Sequence, residues 1–198
     1  MKIYSLLMKP QDGYIAYIVN PRSGASSSKL TGRRFGQYLL QRRFDVRANL
    51  TVSLEHAGQL AANASSDCNC ALIVVVGGDG TVREVAHGLE GSDKPLLIIP
   101  YGTENLLASE LGLDEKLKTL IRTFEAEYVR PLDLGRSNGR CFTSIAGFGF
   151  DGQVVDRVHR QRSGNINYFD YFWPIWRAFW EYKFKPMKVE VDGKEIFE

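Results

Sequence analysis

The chain has 198 residues, of which 44% are hydrophobic and 24% charged, and carries a formal net charge of +2. This is the composition of a globular protein with one large domain or one and a half, and so small a charge gives no argument for a nucleic-acid partner. No run reaches the ~18 apolar residues that span a bilayer, the first thirteen residues lack a secretory layout, and three cysteines without framework spacing fit a reducing cytoplasm.

Tyr14 to Val19 reads as an apolar strand that runs into Asn20-Pro21-Arg22-Ser23-Gly24, a turn forced by its proline and glycine. Ser26, Ser27 and Ser28 then offer N-caps to a helix whose inner face carries Phe35, Tyr38 and Leu39. The Asn20 amide, Arg22 and Ser23 stand where an anionic group would meet that helix start; the alternative is an ordinary strand-to-helix turn. Asp45 to Val52 is the next strand, and Ser53 caps a helix with Leu54, Ala57 and Ala61 inward. Cys68-Asn69-Cys70 has no accompanying His or Cys pair for zinc and reads as thiols at a strand entrance.

Ala71 to Val76 is apolar throughout, as expected of a strand buried on both faces of a parallel sheet. It ends in Gly77-Gly78-Asp79-Gly80-Thr81, and a helical pattern follows with Val82, Val85, Ala86 and Leu89 inward. A strand, a glycine turn and a helix start bring bare backbone N–H groups up to a phosphate. Asp79 would repel that phosphate, so its presence points to a divalent cation between them. Thr81 is expected to cap the helix or donate to a phosphate oxygen. The plainer alternative makes Asp79 a helix cap.

Leu96 to Ile99 is a further strand, ending in Pro100-Tyr101-Gly102-Thr103-Glu104-Asn105 before a short helix carrying Leu106, Leu107 and Leu111. Thr103 and Asn105 are expected on the same sheet edge as Asp79. Three strands thus end in polar, glycine-bearing turns on the carboxyl edge, where open α/β sheets place their ligands. Asp114 to Ala126 reads as one helix.

After Pro131 the pattern changes from βα alternation to antiparallel strands, and a domain boundary is placed at residue 134, giving domains 1–134 and 135–198. Ser137-Asn138-Gly139 suits a hairpin turn into a strand from Arg140 to Ala146. A glycine-rich turn at 147–152 leads into a helix with Val154, Val155 and Val158 inward. A basic stretch (Arg157, His159, Arg160, Arg162) precedes an aromatic one in which Phe169, Phe172, Trp173, Trp176, Phe179 and Trp180 share a helical face, with Pro174 starting or kinking that helix. The face is expected to pack on the sheet of its own domain; the alternative is a surface that touches lipid. Lys188 to Val191, an Asp192-Gly193 turn and one more strand make a sheet with too few partners, so the native chain is expected to continue.

These motifs resemble those of the diacylglycerol kinase catalytic domain family, shared by bacterial lipid kinases, diacylglycerol kinases, sphingosine kinases and ceramide kinases. Asn20 to Gly24 is similar to its first nucleotide motif, and Gly77 to Thr81, with Glu84 three residues on, to its signature. Pro100 to Asn105 is similar to the third motif; Asp133-Leu134-Gly135 and Gly147-Phe148-Gly149-Phe150-Asp151 resemble later ones. The resemblance runs from residue 14 to about 193, in order.

It implies a parallel-sheet, three-layer α/β nucleotide-binding domain like that of phosphofructokinases and NAD kinases, followed by the start of an antiparallel β-sandwich domain. It implies ATP and Mg²⁺ as cofactors, with the γ-phosphoryl group passed to a lipid hydroxyl of diacylglycerol or sphingoid type. Asn20, Ser23, Gly24, Gly77, Gly78, Gly80, Thr81, Gly102, Thr103 and Asn105 would line the ATP site, and Asp79 and Asp133 would hold Mg²⁺, Asp79 being the catalytic residue. The expected partner is a lipid presented at a membrane surface to a cytoplasmic protein, peripheral membrane contact and a homodimer being left open.

Two positions depart from the family pattern. Leu106 stands where an aspartate commonly joins the magnesium network, and Asp192-Gly193-Lys194 is not the late Asp-Gly-Glu that carries the base, which is expected beyond Glu198. The 198 residues alone are therefore expected to bind nucleotide weakly and turn over little. An NAD kinase-like enzyme, which shares Gly-Gly-Asp-Gly, is the alternative enzyme; the Asn-Pro-Arg-Ser-Gly and Gly-Thr-Glu-Asn turns favour the lipid kinase. A nucleotide-binding regulatory module without turnover is the alternative from a different class.

Overall fold

The computed structural model describes residues 4–5, 9, 12–24, 26–160, 175–176, 179–182, 189–191 and 194–196. The chain forms two compact units, Met1–Ser144 and Ile145–Glu198. This division falls ten residues after the change of pattern at 134, because the hairpin that follows packs back onto a helix of the first unit, as described below.

The elements of the first unit run β1 (Tyr4–Ser5), β2 (Tyr14–Val19), α1 (Ser26–Gln41), β3 (Asp45–Leu50), α2 (Leu54–Ser66), β4 (Cys70–Gly77), α3 (Asp79–Gly88), β5 (Leu96–Pro100), α4 (Leu106–Glu110), α5 (Leu117–Ala126), β6 (Tyr128–Val129), β7 (Gly135–Ser137) and β8 (Arg140–Phe142). β3, β2, β4 and β5 lie side by side in that order, every pair parallel. β1 pairs antiparallel with β6.

β4 is apolar in both registers because both of its faces are covered. Ile73 and Val75 join Ala57, Ala61, Val82, Val85 and Leu107 on one side. Leu72, Val74 and Val76 join Phe35, Leu39, Phe44 and Leu120 on the other. Each such side chain contributes roughly 1.5–3 kcal/mol when fully buried, so helices on both faces hold this strand central. α2 and α3 approach closely where small residues meet: a Cβ on Gly88 would stand 2.3 Å from the Gly58 carbonyl oxygen.

The connections decide where a ligand fits. From β2 the chain crosses outward to β3; from β4 it crosses the other way to β5. The carboxyl ends of the neighbours β2 and β4 therefore open into the crevice at a topological switch point.

Local differences from the sequence reading have local causes. β3 ends at Leu50, two residues short of Val52, although the buried Thr51 still donates its N–H to the Val19 carbonyl. α5 begins at Leu117, not at Asp114, because Asp114 Oδ1 accepts the Lys116 N–H and closes a turn instead. β8 ends at Phe142, short of Ala146. The β7–β8 hairpin is as expected: Ser137 faces Arg140, and Asn138 and Gly139 both take positive φ, 50° and 76°, the signature of the two-residue turn that matches strand twist.

In the second unit, α6 spans Gly149–Arg160, and β9 (Val189–Val191) pairs antiparallel with β10 (Lys194–Ile196). Two expectations fail here. Val154 is buried but Val155 is exposed, one residue round the helix being enough to leave the inner face. Trp176, Phe179 and Trp180 are exposed, not packed as core; Trp180 makes edge contacts with the other two rings. Arg162, Phe169, Phe172, Trp173, Pro174 and the Asp192-Gly193 turn lie outside the described residues, as do the side chains of Arg157, Val158, His159 and Arg160.

Candidate nucleotide site

Four turns follow the carboxyl ends of β3, β2, β4 and β5. The β2 turn is held from within: Asn20 Oδ1 accepts the Arg22 N–H at 2.9 Å, the Ser23 N–H reaches the Asn20 carbonyl at 3.3 Å, and Gly24 turns the chain at φ +75°. The Asn20 backbone N–H bonds to the Val76 carbonyl at 2.9 Å, which fixes this turn beside the end of β4.

Asn20 Nδ2 donates to Thr81 Oγ1 at 2.7 Å. Thr81 is buried in the first turn of α3. It does not cap the helix: Gly78 occupies the N-cap position, with no side-chain cap bond. The cap alternative for Asp79 fails for the same reason, since Asp79 is the first helical residue. Its carboxylate has no hydrogen-bond or ion-pair partner among the described residues. The N–H groups of Asp79 and Gly80 have no acceptor within the helix, as at any helix start.

The β4 and β5 turns meet backbone to backbone. A Cβ on Gly78 would stand 2.9 Å from Gly102 Cα, and one on Gly102 would stand 2.8 Å from Gly78 Cα. Gly77 is restricted from inside, because a Cβ there would lie 2.6 Å from Thr81 Cβ. Gly80 has room, its nearest neighbours being the Leu54 methyls at 3.9 Å. Two turns that touch through glycines beside an open helix N-terminus offer bare main-chain amides, a chemistry suited to phosphate oxygens.

Asn105 holds the β5 turn in shape and is not left to reach outward. It adopts a left-handed conformation, accepts from the Gly102 N–H at 2.7 Å and the Tyr101 N–H at 3.2 Å, and donates to the Gly102 carbonyl at 2.8 Å. Both ends of its amide are thus engaged within its own turn. Thr103 is exposed on that turn, and Leu106, at 43% exposure, begins α4 beside it. Tyr101 is buried beneath, and burial pushes its phenol up to about 12, so it is a neutral floor at any working pH.

Asp133 is not brought onto these turns by any contact. It is exposed in the stretch before β7, and no hydrogen bond or ion pair joins it to Asp79 or another described residue. The donor set fits a magnesium ion that keeps most of its waters, since such an ion needs only one or two carboxylates besides the phosphates; Asp79 supplies one.

At the β3 turn Ser53 caps α2 as expected, but the sequence reading missed His56. His56 Nδ1 accepts the Val52 N–H at 3.2 Å, and Ser53 Oγ accepts the His56 N–H at 3.1 Å. This holds an imidazole in the turn after the carboxyl end of β3. The available signal was an imidazole three residues after the cap Ser53, at the end of a predicted strand.

The sequence profile of the family described as Diacylglycerol kinase catalytic domain matches residues 15–137. The diacylglycerol kinase of Bacillus subtilis (strain 168) is 36% identical over 138 residues, 67% of this chain and 44% of that protein. The diacylglycerol kinase of Mycobacterium tuberculosis (strain ATCC 25618 / H37Rv) is 32% identical over 171 residues, 82% of this chain and 55% of that protein. The crystal structure of a diacylglycerol kinase from Bacillus anthracis str. Sterne superposes with a TM-score of 0.57 at 28% identity, covering 68% of this chain and 49% of that one. The chain spans about half the length of these relatives. No helix among the described residues is long and apolar enough to cross a membrane. With the profile matched from β2 through β7 and the same parallel fold beneath it, the chain belongs to the diacylglycerol kinase catalytic domain family.

Proposed function

We propose that this chain supplies the nucleotide-binding part of an ATP-dependent lipid kinase, which moves the γ-phosphoryl group of ATP onto a lipid hydroxyl of diacylglycerol or sphingoid type. The observation that carries the reading is the Gly78–Gly102 contact beside the open N-terminus of α3. Only glycine at both positions lets the β4 and β5 turns meet backbone to backbone, which holds the β5 turn against the start of α3, where uncapped main-chain amides favour an anion.

The residues divide the work. The Asp79 and Gly80 N–H groups face the phosphates, where the helix N-terminus favours negative charge. Asn20, Ser23 and Gly24 border the crevice from the β2 side, and Thr81 keeps Asn20 in place. Asp79 holds the magnesium ion, which when bound neutralises charge on the transferring phosphates. Asn105 acts one step back, by shaping the turn that carries Gly102. The second unit is read as the start of a β-sandwich domain, and the proton acceptor for the lipid hydroxyl is assigned to none of the described residues. A peripheral encounter with the cytoplasmic membrane surface would present the lipid.

The test uses a protein of the relatives' full length, incubated with labelled ATP and Mg²⁺ against diacylglycerol, sphingosine or NAD. Lipid phosphorylation is the expected result, and Asp79→Ala should lower turnover by about 10²- to 10³-fold, the usual cost of removing a charge-stabilising group. Phosphorylated NAD without phosphorylated lipid, or near-normal turnover in Asp79→Ala, overturns the reading.

A further inference from the structure

At the far end of α3 from the nucleotide cradle, three donor atoms of different chemistry converge. His87 Nδ1 lies 3.2 Å from Cys141 Sγ and 3.6 Å from Glu90 Oε2, and Cys141 Sγ lies 3.8 Å from that same oxygen. His87 belongs to the last turn of α3, Glu90 follows its end, and Cys141 is the middle residue of β8. We propose that His87, Glu90 and Cys141 form a binding site for a divalent transition ion of the Zn²⁺ class, which clamps the β7–β8 hairpin to α3.

The triangle has the right size. A tetrahedral ion bound at about 2.0–2.2 Å to nitrogen and oxygen and about 2.3 Å to sulfur holds its ligand atoms roughly 3.3–3.6 Å apart. The three measured edges depart from that range by no more than a few tenths of an ångström.

The donor chemistry also discriminates. A thiolate and an imidazole beside one carboxylate select zinc or a similar ion over magnesium. The site is thus unlike the one at Asp79, where only oxygen is offered.

The Arg136 guanidinium already pairs with Glu90, through Nε to Oε1 at 2.9 Å and through Nη2 to Oε2. Only Oε2 is needed by the ion. Arg136 can keep Oε1, in the way outer partners orient a ligating carboxylate. Cys141 is buried while the His87 side chain is half exposed, which leaves an entry path and room for a water as fourth ligand.

The test is a titration of the metal-stripped full chain with Co²⁺ and with Zn²⁺, read by absorption and by chelator competition. One equivalent should bind, with a near-ultraviolet thiolate-to-cobalt charge-transfer band. Cys141→Ser should remove the band and weaken Zn²⁺ binding at least about tenfold, by the scale set for partners of metal ligands. His87→Gln, at a half-exposed position that leaves the fold intact, should weaken binding as much while keeping a shifted band. Cys68→Ser, at an exposed cysteine elsewhere, should change neither. Absence of the band at saturating Co²⁺, its persistence in Cys141→Ser, or undiminished affinity in His87→Gln overturns the proposal.

Discussion

Asn20 Nδ2 donates to Thr81 Oγ1 at 2.7 Å, across 61 positions of sequence. This bond joins the turn after β2 to the first turn of α3 and so sets the width of the crevice between β2 and β4. Thr81→Val keeps the shape of a buried side chain but leaves the Asn20 amide without its acceptor. Unfolding in urea should show a loss of about 0.5–1.5 kcal/mol, the net worth of a typical hydrogen bond, because the Asn20 amide is only part-buried. Mg·ATP affinity should fall with it, and Thr81→Ser should restore both. A Thr81→Val protein as stable as the parent would show that the bond does not hold the two turns.

Gly102→Ala places a methyl 2.8 Å from Gly78 Cα and 3.0 Å from Asn105 Oδ1. Backbone faces it on one side and a turn-stapling amide on the other, so neither can yield cheaply. Overpacking of this kind costs about 1–3 kcal/mol, and the cradle must open to relieve it. Calorimetric titration with Mg·ATP should show affinity reduced by about tenfold or more, each factor of ten being about 1.4 kcal/mol. Unchanged affinity would place the phosphates elsewhere on the chain.

The β7–β8 hairpin is anchored by an ion pair that acid should weaken. The Arg136 guanidinium, by hydrogen bonding and by its charge, holds the Glu90 carboxyl below its ordinary value of 4.5. A carboxyl whose value is lower in the folded state stabilises the fold above the unfolded value, and that stability is lost as pH falls through the folded one. Melting temperature should therefore drop as pH falls below 4.5. Arg136→Met should melt lower at neutral pH and lose less on acidification. Glu55, Asp67 and Asp114 are also held low, so the difference between the two proteins, not either curve, isolates the pair. Parallel curves would remove the pair from the account.

Gly139 sits at φ 76° with nothing within 4 Å of where a Cβ would be. Space is no obstacle there; the left-handed backbone is. Gly139→Ala should cost roughly 1–2 kcal/mol in denaturant unfolding, whereas Asn138→Gly, at φ 50°, should be close to neutral because glycine adopts that conformation freely. Equal effects at the two positions would mean that the turn tolerates another geometry.

Much of this protein was legible in the order of its residues. The unbroken apolar run through Val74, Val75 and Val76 announced a strand covered on both faces, and Gly77 to Thr81 announced a glycine turn running straight into a helix start, because both signals are local: hydrophobic period, glycine freedom and helix-start polarity act within a few residues. The Asn138-Gly139 hairpin was legible for the same reason. Only the tertiary structure decided what those local pieces do to one another. It made Thr81 the acceptor for Asn20 instead of a cap, engaged both ends of the Asn105 amide inside its own turn, pressed Gly78 against Gly102 and left Asp133 unjoined to Asp79. It turned Trp176 and Trp180 outward and brought Cys141 to His87 at the end of a helix more than fifty positions away. Such contacts depend on strand order and on how helices cross the sheet, and these arise from packing the whole core at once, which no window of neighbouring residues encodes.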